Sequence, residues 1–132
     1  MREQGDLVHG LLRKADSDLL AADATLKAGA YDAAAFHAQQ AVEKFLKAFL
    51  ANERVEFPFT HNLSKLIELC ADANSAFSAL LPVVEPLTPY AVELRYDTDF
   101  WPSGEVCGEA IAAANTVREF VLERLGLSGP PA

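Results

Sequence analysis

The segment from Tyr31 to Glu53 constrains the fold more than any other part of the chain. Ala34, Ala35, Ala38, Ala41, Val42, Phe45, Leu46, Phe49 and Leu50 recur at helical spacing but cover far more than one narrow stripe. A helix with so broad an apolar surface needs neighbours on two or more sides, and its alanines let other backbones approach closely. The spacing predicts a helix that begins at Tyr31 or Asp32, with Asp32 as candidate cap, and ends at Asn52 or Glu53. At 1.5 Å per residue it is about 33 Å long. It forms either the centre of a bundle or part of a dimer interface.

The flanking sequence supplies the neighbours. A first helix is expected from about Asp6 to Ala28, with Leu7, Leu11, Ala15, Leu19, Ala22 and Leu26 on one stripe and Gly29 as its stop. After the second helix, Pro58 marks a connection in which Phe57 and Phe59 are expected to pin the loop to the core. Asn62 can cap a third helix over Leu63 to about Asp72, followed by a short helical piece from Ser75 to Leu81. Pro82, Pro86 and Pro89 rule out a long regular helix there, but Thr88 could cap, and Pro89 open, a fourth helix reaching Tyr96. Ser103 can cap the last helix, with Val106, Ala110, Ala113 or Ala114, Val117, Val121 and Leu125 as its stripe and Gly126 as its end. No strand-like alternation is sustained. The expected fold is all-α, an up-and-down antiparallel bundle of four to five helices over residues 1–127, with a flexible tail at 128–132.

At 132 residues the chain can bury about two thirds of its unfolded surface, enough for one core without staples. Cys70 and Cys107 are far apart and form no CxxC pair, which favours reduced, buried thiols. The first residues are polar and mixed in charge, and no apolar run reaches membrane-spanning length, so a cytoplasmic location without membrane partners is the default expectation. The formal net charge of −8 argues against non-specific binding to DNA or RNA, although Lys44, Lys47, Arg54 and Arg95 could still build a local basic patch. His9, His37 and His61 have no metal-ligand spacing, no nucleophile elbow is present, and the seven glycines form no phosphate loop. No metal or cofactor is expected. Glu53 with Glu56, and Asp97 with Asp99, read as solvated charges rather than catalytic pairs.

Two polar clusters stand out. His37, Gln40 and Lys44 follow at i, i+3 and i+7 and share one helical face, either as a ligand-binding strip or as a hydrogen-bonded seam between helices. Glu43 and Lys47 sit at i, i+4 in the favourable order for a surface pair. Arg95 and Tyr96 precede the loop Asp97–Gly104, where they could cap and pair locally, or else stack on a base and grip a phosphate. In that loop Phe100 and Trp101 either close the core or contact a partner.

Three strings carry a family resemblance. The run YDAAAFHAQQAVEKFLKAFL resembles the second helix of HEPN-domain proteins, through Phe36, His37, Gln40, Glu43, Lys44, Leu46 and Lys47. Thr60, His61 and Leu63 match the Thr-His-x-Leu at the start of that family's third helix, and Leu94, Arg95 and Tyr96 are similar to the Arg-Tyr closing its fourth. The resemblance covers roughly the whole chain. It implies a helical bundle, frequently a homodimer, often paired with a minimal nucleotidyltransferase in a toxin–antitoxin system.

Active members of the family look like metal-independent endoribonucleases with an Arg-x(4 to 6)-His motif in which arginine steadies phosphate and histidine moves the proton. Here Arg54 to His61 has such a spacing but spans the connection containing Pro58, and no histidine follows Arg95. The expected function is a non-catalytic homodimeric module binding a nucleotide (His37, Gln40, Lys44, Arg95 and Tyr96 as candidate contacts) or a partner nucleotidyltransferase. The alternatives are a divergent ribonuclease toxin using His61 with Arg95, and a purely structural interaction protein that relies on the aromatic loop.

Overall fold

The computed structural model describes residues 4–91 and 96–127. Among them every regular element is helical. Helix α1 spans Gln4–Ala28, α2 Tyr31–Asn52 and α3 Leu63–Ala73; a 3-10 helix at Ser75–Leu80 leads into the one-turn α4, Leu81–Val84. A second 3-10 helix covers Glu85–Ala91, and α5 runs over Gly104–Arg124. None of these helices is long and apolar enough to cross a membrane.

The architecture follows from α2. Thirteen of its residues are buried, on most sides of the helix, and Phe36, His37, Gln40, Lys44 and Lys47 form the half-buried face. Helix α1 packs along much of its length, α5 covers a second side, and α3 with the second 3-10 helix closes the rest. The aromatic centre is Phe77, whose ring lies 4.3 Å from that of Phe49 and 4.8 Å from that of Phe120. Offset and edge-on contacts of this kind add to the burial of the rings.

Three helices end in the same way. After α1, Gly29 N–H donates to Leu26 O and Ala30 N–H to Thr25 O; after α5, Gly126 N–H donates to Glu123 O and Leu127 N–H to Leu122 O. After α2, Arg54 N–H donates to Ala51 O and Val55 N–H to Leu50 O. This reversal needs one residue in the left-handed region, and Gly29 (φ 83°) and Gly126 (φ 73°) adopt it freely. At the third end Arg54 does so with φ 59°, at the steric cost of its Cβ.

The caps at Asn62 and Ser103 form as expected, accepting from Lys65 N–H and Val106 N–H. Helix α2 starts at Tyr31 with Ala30 at its cap position, so Asp32 lies inside the first turn. The stripe of α1 is rotated from the expected one: Val8 and Leu12 are buried, whereas Leu7 is exposed. Val8 and Leu12 continue the buried line of Ala15, Leu19 and Ala22, which lie inward as expected. In α5 Cys107 occupies the inward position expected for Val106, since 107, 110, 114, 117 and 121 lie on one line.

Residues 92–95 of the expected fourth helix lie outside the described residues, and what is described is its proposed first residue, Pro89. It lies within the 3-10 helix, where three residues per turn place Leu87 and Tyr90 inward and Pro86 and Pro89 away from the core. Thr88 Oγ1 is buried without a hydrogen-bond partner and caps nothing. Phe57 packs against the core as expected, but Phe59 is fully exposed at 108%. The chain bends at Phe59, which leaves the core there. The expected tail at 128–132 and the residue Arg95 lie outside the described residues.

Cys70 and Cys107 are free and buried. Burial pushes the Cys70 thiol up to about 12, from an ordinary value of 9.0. Between those values the unfolded chain releases the Cys70 proton while the folded chain holds it, so stability falls as pH rises from about 9 towards 12. Urea titrations across this range are expected to show a shallower loss in Cys70→Ala than in the wild type. At the end of α2, Arg54→Gly is expected to raise unfolding free energy by roughly 0.5 to 1 kcal/mol, because it removes the left-handed strain and gives back part as chain entropy. Denaturant midpoints at neutral pH measure it.

Candidate functional site

The broad apolar surface of α2 is interrupted by Gln39 and Glu43, which are 0% and 5% exposed. Buried polar groups must find partners within the fold, and these do so through one continuous network. The Gln39 amide nitrogen donates to Glu43 Oε1 at 3.3 Å and to the His61 carbonyl at 3.5 Å. The Gln40 amide nitrogen donates to Gln39 Oε1 at 2.7 Å. Gln40 Oε1 in turn accepts from Lys44 Nζ at 3.5 Å.

Two carboxylates anchor the ends of this network. Asp18, from α1, accepts from Lys44 Nζ at 2.5 Å and meets His37 Nδ1 at 2.9 Å. Glu43 meets His61 Nδ1 at 2.7 Å and accepts from Lys47 Nζ at 3.2 Å. An ionised carboxylate can only accept, so Nδ1 is the donor in both histidines when the carboxylates are charged. Each carboxylate thus holds one lysine and one histidine. The Lys47 ammonium also sits 5.8 Å from the centre of the Phe57 ring, which helps to hold the connection between α2 and α3.

The structure therefore brings His37, Gln40 and Lys44 together, as a seam fastened to α1 by Asp18. Glu43 and Lys47 are not a surface pair: their side chains are mostly buried, because Val42, Phe45 and Leu46 draw that part of α2 into the core. His61 is exposed but tethered through Nδ1 to Glu43. Its suggested pairing with Arg95 falls outside the described residues. Tyr96 is largely exposed.

The aromatic pair divides. Phe100 is half-buried against the core, with its ring 6.1 Å from Tyr90, whereas Trp101 is 69% exposed and donates through Nε1 to Thr98 O at 2.8 Å. Asp97 accepts from Asp99 N–H at 3.0 Å, which makes these residues a local turn rather than a catalytic pair. Among the described residues no cluster of three His, Cys, Asp or Glu side chains is arranged to hold a metal ion.

Asp18 and Gln39 are the members of the network that sequence reasoning passed over as partners, while Glu43 was paired only with Lys47 and on a surface. For Asp18 a signal exists: it falls three residues after Ala15 and four before Ala22, on the flank of the buried seam of α1. Glu43 lies next to Val42 and one turn from Leu46 on a helix apolar nearly all round. Removing its carboxylate leaves the largely buried Lys47 ammonium without its anion. Glu43→Ala is therefore expected to lower unfolding free energy by about 2 to 4 kcal/mol, and Lys44→Ala, at the more exposed end, by about 1 kcal/mol or less. Equilibrium urea denaturation of the two variants checks the order.

A family model described as HEPN domain matches residues 8–125. Comparison with curated proteins and with solved structures gave no match. The match spans α1 to α5 and includes every member of the polar network. The chain belongs to the HEPN domain family.

Proposed function

We propose that this HEPN domain is a non-catalytic homodimeric binding module of the cytoplasm, whose partner is a minimal nucleotidyltransferase. One observation carries the reading: Lys44 and Lys47, the lysines of α2 best placed to grip a phosphate, are each neutralised by a carboxylate of the same chain. Taking up a phosphate there means separating these pairs, and the net charge of −8 adds repulsion at longer range. A protein partner has better handles in the exposed rings of Phe59 and Trp101 on the connecting loops. Nucleotide binding remains within this reading as a weaker activity of the same fold.

A second reading rests on His61. A carboxylate that fixes Nδ1 leaves an imidazole oriented for proton transfer, the arrangement a divergent metal-independent endoribonuclease would use. The cation nearest to it through Glu43 is Lys47, whose side chain is 14% exposed and ill placed to reach a phosphate. This favours binding over cleavage.

The experiment is RNA cleavage by freshly purified protein, with and without EDTA, beside His61→Ala and Arg95→Ala proteins checked for helicity. No cleavage by the folded wild type is expected, together with co-purification of a co-expressed minimal nucleotidyltransferase. Cleavage that resists EDTA and disappears in a folded His61→Ala protein would replace the binding module with the ribonuclease.

A further inference from the structure

A groove of about 780 Å³ lies between α1 and α5, and none of its lining residues belongs to the network of Glu43. Its floor is an ion pair: Arg118, 8% exposed, donates through Nε to Asp16 Oδ1 at 2.9 Å. Its walls are leucines, among them Leu12, Leu19 and Leu122. At the lip stands Leu20, 72% exposed. The same surface thus carries an apolar knob and an apolar hollow.

The charges on α1 select what fits. His9, Arg13, Asp16, Leu20 and Asp23 follow at spacings of four and three, so they form one stripe along the lip. With Asp16 matched to Arg118, the exposed charges of the lip are Arg13 and Asp23, of opposite sign, ten positions apart. A copy of α1 laid antiparallel about a two-fold axis at the level of residue 18 sets Arg13 opposite Asp23 of its partner, and Asp23 opposite Arg13. The two Leu20 side chains then lie about 6 Å apart along the helices, on either side of the axis, and each reaches the other copy's hollow. Such self-complementarity is what an isologous interface requires.

We propose that the α1–α5 groove is the homodimer interface, closed by the Leu20 side chains of two antiparallel α1 helices and registered by reciprocal Arg13–Asp23 pairs. This rests on the homodimeric reading above and names its surface. Burial of Leu20 supplies the attraction, while the exposed ion pairs fix direction and register. Raising the salt concentration weakens the second contribution more than the first.

Sedimentation equilibrium of the full chain tests it, with wild type, Leu20→Glu, Arg13→Asp, Asp23→Arg and the double exchange Arg13→Asp with Asp23→Arg. All three side chains are exposed, so circular dichroism should show unchanged helicity. A wild-type dimer is expected, with Leu20→Glu and each single charge change raising its dissociation constant about tenfold or more. The double exchange, which restores both pairs with reversed sign, should return close to the wild-type value. A dimer indifferent to Leu20→Glu and Arg13→Asp would overturn this interface and leave the homodimeric reading standing, whereas a monomeric wild type would overturn both. Single variants that weaken the dimer without rescue by the double exchange would overturn the antiparallel register.

Discussion

The carboxylate of Glu43, set in a helix buried on nearly all sides, is the constraint on which much of the remaining structure depends. A buried charge is tolerated only with counter-charge and hydrogen bonds close by. Lys47 supplies the counter-charge from one turn further along α2, while Gln39 and His61 donate to the same oxygen. His61 must therefore lie over α2, which fixes where the connection from α2 ends and where α3 begins. Gln39 passes the constraint through Gln40 to Lys44 and, through Asp18, to α1. Helix positions that apolar packing alone would leave free to slide are thereby held in register.

The same network bears on function. A cation–carboxylate pair inside the hydrogen-bonded seam of a bundle is a structural device, and its lysine is a poor phosphate ligand until the pair is separated. The side chains most characteristic of the family string in α2, His37, Gln40, Glu43, Lys44 and Lys47, are all members of the network. Their placement along α2 thus has a physical explanation in the joining of α1, α2 and the connection to α3, before any ligand is invoked. Large apolar side chains stay exposed at the rings of Phe59 and Trp101 and at Leu20 on the lip of the α1–α5 groove.

Much of the fold was legible because its signals are local. The breadth of apolar residues in α2, the Asn62 and Ser103 caps, and Gly29 and Gly126 at helix ends each act over a few residues. Finer placement was not. The seam of α1 begins at Val8 rather than Leu7, and Cys107 replaces Val106, because neighbouring helical positions differ by about 100° and only the partner helix decides between them. Prolines conceal the 3-10 helix at Glu85–Ala91, whose period of three lets Pro86 and Pro89 share the outer side. In the site, the helical spacing of His37, Gln40 and Lys44 was visible, but Asp18 is nineteen residues away from His37 in sequence, and Glu43 with Lys47 has the same spacing whether it lies on a surface or in a core.

The central claim, that the cations of α2 are consumed within the fold, is tested most directly by lysine acylation rates, resolved by residue with mass spectrometry. Lys14, Lys27 and Lys65 are exposed and serve as internal references. The account predicts that Lys44 and Lys47 react much more slowly than these three, and that adding an RNA oligonucleotide leaves the pattern unchanged. Rates for Lys44 and Lys47 equal to the references, or falling only when RNA is present, would contradict it.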